Sequence, residues 1–187
     1  MAGRLTRGGA AALASAGVAS LGLWRRLFRA PLPKTHGAIS VEGLSAPVRI
    51  ARDALGVANI EARSVEDLCF AQGFCLGQDR LFQLELFRRI AAGRVSEFAG
   101  REGLATDRVF RTLGLRRIAD TEVATIPRRG RGYLEAYAAG VNAAAATMPA
   151  PPFEMQLLRI DPEPWTPADS LSIGKIIALG FSTNMET

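Results

Sequence analysis

The chain has 187 residues, of which 48% are apolar and 22% are charged; this composition suits one domain with a leader and excludes a disordered or fibrous protein. The net charge of +5 comes from the N-terminus, because residues 1–37 carry six basic residues and no acid, whereas the remainder carries 17 basic and 18 acidic residues. A nucleic-acid-binding domain would show a basic face on its folded part, so nucleic acid is excluded as a partner.

Residues 1–37 are predicted to form a leader and linker. Arg4 and Arg7 precede an uncharged, mostly apolar run over 8–24, and three arginines and two prolines follow. A basic end followed by such a run is typical of an export signal, so we expect export to the periplasm or the extracellular space. The run has 17 residues, the short limit for crossing a bilayer. A cleaved signal, a membrane anchor over 8–24 and a frayed Ala-rich tail all stay open.

The body, residues 38–187, begins with two short segments of strand character. In 47–53, Val48 and Ile50 alternate with Arg49 and Ala51. Residues 54–56 supply a turn and 57–61 the return strand, so the sequence predicts a β-hairpin.

A long helix is predicted to follow, with Ser64 as its N-cap and Asp67 in the capping-box position. Its apolar residues cover a wide sector, which predicts burial on more than one side; they are Leu68, Cys69, Phe74, Leu76, Leu81, Leu84 and Phe87. Gly73 and Gly77 weaken a helix interior, so we expect close packing against another element there.

Three further helices are predicted after Gly93. A short one ends at Gly100; the next runs over 107–125, capped by Thr106 and stopped by Pro127; the third runs over 131–148.

The sharpest helix start is Thr166-Pro167-Ala168-Asp169. Thr166 is a good N-cap, Pro167 suits the first helical position, and Asp169 complements the helix dipole. Trp165 is interpreted as a packing anchor at this entry. The class is therefore α+β: mainly α-helical with an N-terminal β-hairpin.

Charged pairs on the first long helix favour a structural role. Asp79 and Arg80 point about 100° apart, so each is expected to find an opposite charge elsewhere. Glu85 with Arg88 and Arg89 has the spacing of an exposed surface pair, worth about 0.2–0.5 kcal/mol.

The remaining reactive side chains offer no catalytic set. Cys69 and Cys75 lie on different faces of that helix, so they are interpreted as small buried hydrophobes. His36 is the only histidine, which excludes a Ser-His-Asp triad or a His-based zinc site within this chain.

Several ordered motifs resemble the α-chain portion of the penicillin acylase (penicillin amidase) family. They are the hairpin 48–60, Ala71-Gln72-Gly73-Phe74, Gln78-Asp79-Arg80-Leu81-Phe82-Gln83-Leu84-Glu85, Arg88-Arg89, Ala92-Gly93-Arg94, Ser96-Glu97, the stretch 137–143 and Trp165-Thr166-Pro167-Ala168-Asp169-Ser170. The resemblance covers about 38–187. Asn59 stands where the family usually has a histidine that is neither nucleophile nor base.

The resemblance implies an αββα N-terminal-nucleophile (Ntn) hydrolase, made as a precursor that cleaves itself into α and β chains. The N-terminal serine of the β chain attacks a linear amide, with its own α-amino group as base; substrates include β-lactam antibiotics and N-acyl-homoserine lactones. No Gly-Ser, Gly-Thr or Gly-Cys pair occurs in this sequence. We therefore expect an α-chain-like fragment, a truncated reading frame or a separately encoded piece, without catalytic residues and inactive without its β chain.

Two further expectations about the site come from the resemblance. Phe181 lies where the α chain turns over the acyl pocket, and Ala178, one turn earlier, would share that wall; the alternative is that Phe181 is a core residue. Glu186 lies near the carboxylate that reaches a structural calcium ion at the chain interface, although calcium needs six to eight oxygens. The rival function is a non-catalytic, membrane-anchored helical binding module.

Overall fold

A computed structural model of the chain describes residues 20–182. Within them, helical backbone over 20–24 continues into a π-helical turn, Arg25–Arg29, and a two-stranded sheet and a set of α-helices follow. The strands are β1 (Arg49–Arg52) and β2 (Ala58–Glu61); the helices are α1 (Val65–Ala92), α2 (Ser96–Ala99), α3 (Leu104–Leu113), α4 (Leu115–Thr125), α5 (Arg128–Thr147), α6 (Phe153–Leu158) and α7 (Pro167–Ser182), with a 3₁₀ turn at Gly100–Gly103. The predicted helix-rich class with an N-terminal hairpin is confirmed.

The hairpin forms where the alternating pattern predicts it. β1 and β2 are antiparallel, and Arg49 lies opposite Glu61. The Asp53 carboxylate accepts hydrogen bonds from the backbone N–H groups of Leu55 and Val57, each at 2.9 Å. Those bonds close the turn, in which Gly56 has a φ of +81°.

Helix α1 is the central element, and its start confirms one half of the predicted capping box. The Ser64 hydroxyl accepts a hydrogen bond from the Asp67 backbone N–H at 3.0 Å. The Asp67 carboxylate turns to another segment, accepting bonds from the Ser45 hydroxyl at 2.6 Å and the Ser45 N–H at 2.8 Å. These bonds lower the pKa of Asp67. The cap therefore also ties the 38–48 segment to the helix.

The glycines of α1 mark its close packing against α5, as predicted. A Cβ on Gly73 would collide with the Tyr137 carbonyl oxygen, and one on Gly77 would lie 2.7 Å from the Ala144 Cβ. Gly140 of α5 packs equally tightly against the backbone of α1. Larger side chains at these points would force the two helices apart.

Two buried apolar clusters lie along this helix pair. The larger joins α1, α5, α6 and the entry to α7: Leu81, Leu84, Ala138, Val141, Met155, Ile160 and Trp165. The smaller contains Phe70, Phe74 and Ala144, covered by Ile39, Val41 and Leu44. Three residues expected to help bury α1, namely Leu68, Leu76 and Phe87, are substantially exposed, so its buried sector is narrower than its apolar pattern.

The single helix predicted over 107–125 is wrong. Gly114, with a φ of +68°, divides it into α3 and α4, and Thr106 lies inside α3 without capping it. The helix predicted over 131–148 begins earlier, at Arg128, directly after Pro127. Helix α6, within the proline-rich stretch, was not predicted.

Candidate functional site

The entry to α7 positions the candidate site. Pro167 begins the helix as predicted, and the Asp169 side chain bonds back to Thr166, the residue before the helix. The Asp169 carboxylate accepts hydrogen bonds from the Thr166 N–H at 2.7 Å and from its hydroxyl at 2.6 Å. A carboxylate at this end also complements the helix dipole, as expected.

Asp169 is itself buried and belongs to a network of charges. Arg116 of α4 donates to its carboxylate at 2.6 Å, and Arg88 of α1 lies 3.7 Å from the other oxygen. One carboxylate therefore connects the start of α7 to two other helices. Removing one partner of such a buried pair would leave an uncompensated charge, so these contacts tie the start of α7 to α1 and α4.

Glu85 is the second buried carboxylate of this network, which corrects the prediction of an exposed surface pair. It is 1% exposed, and Arg88 and Arg89 are buried with it. Its oxygens accept from Arg88, with the Nε bond at 3.1 Å, and from the Glu163 backbone N–H at 2.9 Å. Glu85 follows Leu81 by four residues, which places it on the core face; that spacing was the available signal.

An outer ring of charges closes the network toward solvent. Arg94 donates to Glu163 at 2.6 and 3.0 Å and to Glu97 at 2.6 and 3.0 Å, and Arg89 also pairs with Glu97. The hydrogen bond from Arg94 lowers the pKa of Glu163 to about 2, against the opposing effect of partial burial. The segment before α7 is thus bound to the end of α1.

Trp165 is the packing anchor that the sequence predicts. Its backbone N–H donates to the Asn142 side-chain oxygen at 2.7 Å, and the Asn142 amide donates back to the Trp165 carbonyl at 3.0 Å. The indole N–H donates to Ser170 at 3.0 Å, and the Arg88 guanidinium lies 5.5 Å from the ring centroid. Side-chain hydrogen bonds, a cation–π contact and the buried charges therefore all hold the same helix start.

The far end of α7 carries the two candidate pocket residues. Phe181 is 88% exposed, and Ala178, three residues earlier on the same side, is exposed as well. Phe181 is therefore not a core residue of residues 20–182. Ile177 is also exposed, so this end of the helix presents an apolar surface. Glu186, the candidate calcium ligand, lies outside the described residues.

The other singled-out side chains take structural positions. Asp79 pairs with Arg52 of β1 at 2.8 Å, as expected, whereas the Arg80 side chain is exposed at a kink of α1, where its backbone φ is −140°, and forms no ion pair within 20–182. Cys75 is buried and Cys69 partly so, and desolvation raises the pKa of both thiols. Neither thiol is activated as a nucleophile.

No metal centre is formed by the described part of the chain, which contains no group of three or more His, Cys, Asp or Glu side chains able to hold an ion. The carboxylates at the entry to α7 are engaged by arginines and backbone N–H groups. What residues 20–182 supply is therefore a packed helical frame and an exposed apolar helix end.

A helix-rich frame with this hairpin and this entry to α7 matches known amide-hydrolysing enzymes. The model of the penicillin amidase family matches residues 47–187, and the chain belongs to that family. The penicillin acylase 2 proenzyme of Pseudomonas sp. (strain SE83) is 40% identical over 155 residues, which cover 83% of this chain and 20% of that protein.

Two further relatives agree with this assignment. The acyl-homoserine lactone acylase QuiP of Pseudomonas aeruginosa (strain PAO1) is 34% identical over 156 residues, covering 83% of this chain and 18% of that protein. Among solved structures, a thermostable penicillin G acylase from Alcaligenes faecalis matches with a TM-score of 0.64 and 27% identity, over 75% of this chain and 77% of the matched chain. The chain thus spans about a fifth of the length of these curated relatives, yet is similar in length to the solved chain.

Proposed function

We propose that these residues form the α-chain portion of an αββα Ntn amidohydrolase that cleaves a linear amide between an acyl chain and an amine. The observation that carries this is the family match over 47–187 together with a solved chain of similar length. The relatives' names, penicillin acylase and acyl-homoserine lactone acylase, suggest two substrate classes: the side chain of a β-lactam, and an N-acyl-homoserine lactone.

The nucleophile is proposed to lie outside these residues, on a β chain. The chain contains no Gly-Ser, Gly-Thr or Gly-Cys pair at which a new N-terminal nucleophile could be generated, and the described thiols are not activated. Purified chain should therefore not hydrolyse a chromogenic phenylacetyl or acyl anilide. Turnover that survives purification and exceeds a mock-expression control would contradict the proposal.

The DNA that follows codon 187 separates the proposal from its rival, a non-catalytic, membrane-anchored binding module. A continuation, in frame or in an adjacent frame, that encodes a Gly-Ser-Asn junction and a long β chain supports the enzyme. A continuation without such a junction favours the module.

Phe181 and Ala178 are proposed to form part of the acyl-pocket wall once the β chain is bound. The support is the exposure of an aromatic side chain at the end of a helix whose start is held by buried charges, because burying it against an acyl group would contribute about 1.5–3 kcal/mol. In the assembled enzyme, Phe181→Ala should raise KM for apolar acyl substrates by at least about tenfold. It should leave the chain's melting temperature unchanged.

The matched control is Phe87→Ala, since Phe87 is a partly exposed phenylalanine on α1. Its KM should stay at the wild-type value. Equal KM values for both variants and the wild type would show that Phe181 does not contact the acyl group.

A structural calcium ion at the interface of the two chains is also proposed. Residues 20–182 offer no ligand set of their own, so Glu186 would supply one carboxylate and the β chain the other oxygens. Removal of calcium should then weaken the association of the chains, whereas the charge-conserving Glu186→Asp should weaken it less than Glu186→Ala does.

Residues 1–37 are proposed to direct the body out of the cytoplasm, either as a cleaved signal or through an anchor over 8–24. Within residues 20–182, no helix is both long enough and apolar enough to cross a bilayer; residues 8–19 lie outside the described part. A fusion of residues 1–40 to a reporter that is active only after export should give a signal. A silent reporter on an intact cytoplasmic fusion would contradict this.

A further inference from the structure

The segment 20–34 combines exposed apolar side chains with cationic ones, and we infer that it docks the folded body onto an anionic phospholipid surface. We call it the docking segment. Its exposed large apolar residues are Leu21, Leu23, Trp24, Phe28 and Leu32, and its basic residues are Arg25, Arg26, Arg29 and Lys34. Interfacial membrane segments have this composition, with leucine and tryptophan among the acyl chains and arginine at the phosphates.

The arginines are concentrated around one cleft between the docking segment and the body. The cleft has a volume of about 1000 Å³, and its lining includes Arg25, Arg26, Arg29 and Arg159, with Asp161 as one acid. Within residues 20–182, none of the four guanidinium groups forms an ion pair. Uncompensated arginines in a cleft attract phosphate, whose oxygens a guanidinium can bind in pairs.

Charge complementarity identifies the partner. Residues 38–187 carry 17 basic and 18 acidic residues and so have almost no net charge, whereas residues 1–37 carry basic residues and no acid. The leucines and the tryptophan beside the arginines add an acyl-chain contact that a soluble anion would not use. An anionic bilayer offers both chemistries in the same arrangement.

The docking segment is attached to the body. Phe28 stacks on Phe153 of α6 with ring centroids 4.8 Å apart, and the Gln78 side-chain amide of α1 donates to the Lys34 carbonyl at 3.2 Å. Trp24 lies beside Phe28, with ring centroids 6.4 Å apart, and is 47% exposed, with the Arg29 guanidinium 5.8 Å from its own ring centroid. A bilayer that binds the segment therefore also holds α1 and α6 at its surface.

This docking does not require the amidase activity, and it does not require residues 8–24 to span the membrane. It rests on one form of the proposed export, in which residues 20–34 stay attached to the body after translocation, and it states which surface then meets the lipid. The chain alone suffices for the test, so a negative result here leaves the enzymatic proposal standing, and an inactive enzyme leaves the docking standing.

Vesicle flotation in a density gradient tests the inference, because aggregated protein sinks and bound protein rises. The full chain should float with vesicles of equal parts phosphatidylglycerol and phosphatidylcholine, and not with phosphatidylcholine alone. The triple variant Arg25→Gln, Arg26→Gln, Arg29→Gln should bind about a hundredfold more weakly, since each arginine near an anionic surface contributes a factor of about five. These side chains are exposed, so the variant should keep the circular dichroism and melting temperature of the wild type.

The matched control replaces three exposed arginines elsewhere: Arg101→Gln, Arg108→Gln, Arg117→Gln. It removes the same charge and should bind as the wild type does. Fluorescence supplies a second readout, because Trp165 is buried and Trp24 is not. Vesicle binding should shift the emission to shorter wavelength, and Trp24→Phe should abolish that shift.

Four results would overturn the inference. They are equal binding to phosphatidylcholine alone, wild-type binding by the docking-segment variant, an equal loss in the control variant, and bound protein whose emission does not change. Wild-type binding by the docking-segment variant would assign the binding to another part of the chain, such as residues 1–19. An equal loss in the control variant would assign it to net charge alone.

Discussion

Removing the charge of Glu85 should destabilise the protein far more than its place in a helix-surface pattern suggests. Glu85→Gln keeps the size and shape of the side chain but leaves Arg88 and Arg89 with less negative charge around them. All three side chains are buried, and Glu85 also accepts a hydrogen bond from the Glu163 backbone at 2.9 Å. The substitution therefore changes charge in a part of the protein that water does not reach.

The expected loss is about 3 kcal/mol, the lower end of the cost of breaking a buried ion pair. The lower end applies because Arg88 keeps other partners: it lies 3.7 Å from Asp169 and donates to the carbonyls of Pro164 at 3.1 Å and Glu163 at 2.9 Å. Since a small domain has a total stability of about 5–15 kcal/mol, this loss is a large fraction. With an m value of about 2 kcal/mol per molar, the urea midpoint should fall by about 1.5 M.

Pulse proteolysis in urea measures that midpoint on dilute protein, which limits association of the exposed apolar surface of α7. The matched control is Glu61→Gln, because Glu61 pairs with Arg49 at 3.0 Å on the hairpin surface, where both side chains are exposed. An exposed pair contributes about 0–1 kcal/mol, so this variant should stay near the wild-type midpoint. Equal midpoints for Glu85→Gln and Glu61→Gln would refute the buried network.

Three further predictions follow from the same contacts. Because the pKa of Glu163 is lowered to about 2, its bond to Arg94 stabilises the fold above about pH 4.5 and loses that effect as the pH falls toward 2. Glu163→Gln should therefore lower the melting temperature at neutral pH and make the melting temperature fall less steeply between about pH 4.5 and 2. The same acid dependence in variant and wild type would contradict this. Gly73→Ala should lower the free energy of unfolding by about 1–3 kcal/mol or more, because the new Cβ meets a backbone carbonyl. Gly132→Ala, with open space around it, should instead raise it by about 0.5–1 kcal/mol. Similar urea midpoints for the two variants would be the contrary result. The isolated chain should self-associate through the exposed end of α7, and Ile177→Gln should raise its monomer fraction in analytical ultracentrifugation. A wild-type chain that is already a monodisperse monomer would show that this surface does not need a covering partner.

Local signals in the sequence were sufficient for the elements whose determinants are local. The N-cap at Ser64, the alternation in the hairpin and the proline at the first position of α7 each act within a few residues, and each is where the pattern predicts it. Gly73 also predicted a contact with a distant element, because a glycine inside a helix lowers stability and is expected there only where another backbone packs closely. The apolar periodicity alone was enough to predict that α1 and α5 are helices.

Partners far apart in the chain could not be inferred in the same way. Glu85 and Arg88 have the spacing of an exposed pair, and only the position of Asp169 and of the Glu163 backbone, more than 70 residues later, makes them a buried network. Similarly, the Asp67 carboxylate bonds to Ser45, 22 residues earlier, and not to the N–H of the N-cap residue as a capping box predicts. The break at Gly114 is not predicted, because an isolated glycine can also lie inside a helix.

The candidate site shows the same division. The proposed position of Phe181 at a pocket came from a family resemblance, and its exposure separates it from the core of residues 20–182, but the pocket role proposed for it needs a second chain. The buried carboxylates hold the start of α7, whose other end carries the exposed ring of Phe181. Their charges are matched within this chain, whereas the apolar end of the helix is not covered by any of residues 20–182.

The most direct test of the α-chain assignment is to purify the protein from its natural source through an antibody to the body and to sequence the N-terminus of any polypeptide bound to it. The account predicts a longer second chain that begins with serine, and amidase activity that is present only in fractions containing both chains. A body that is recovered as a stable monomer, or that hydrolyses an acyl anilide without a second chain, would contradict the assignment.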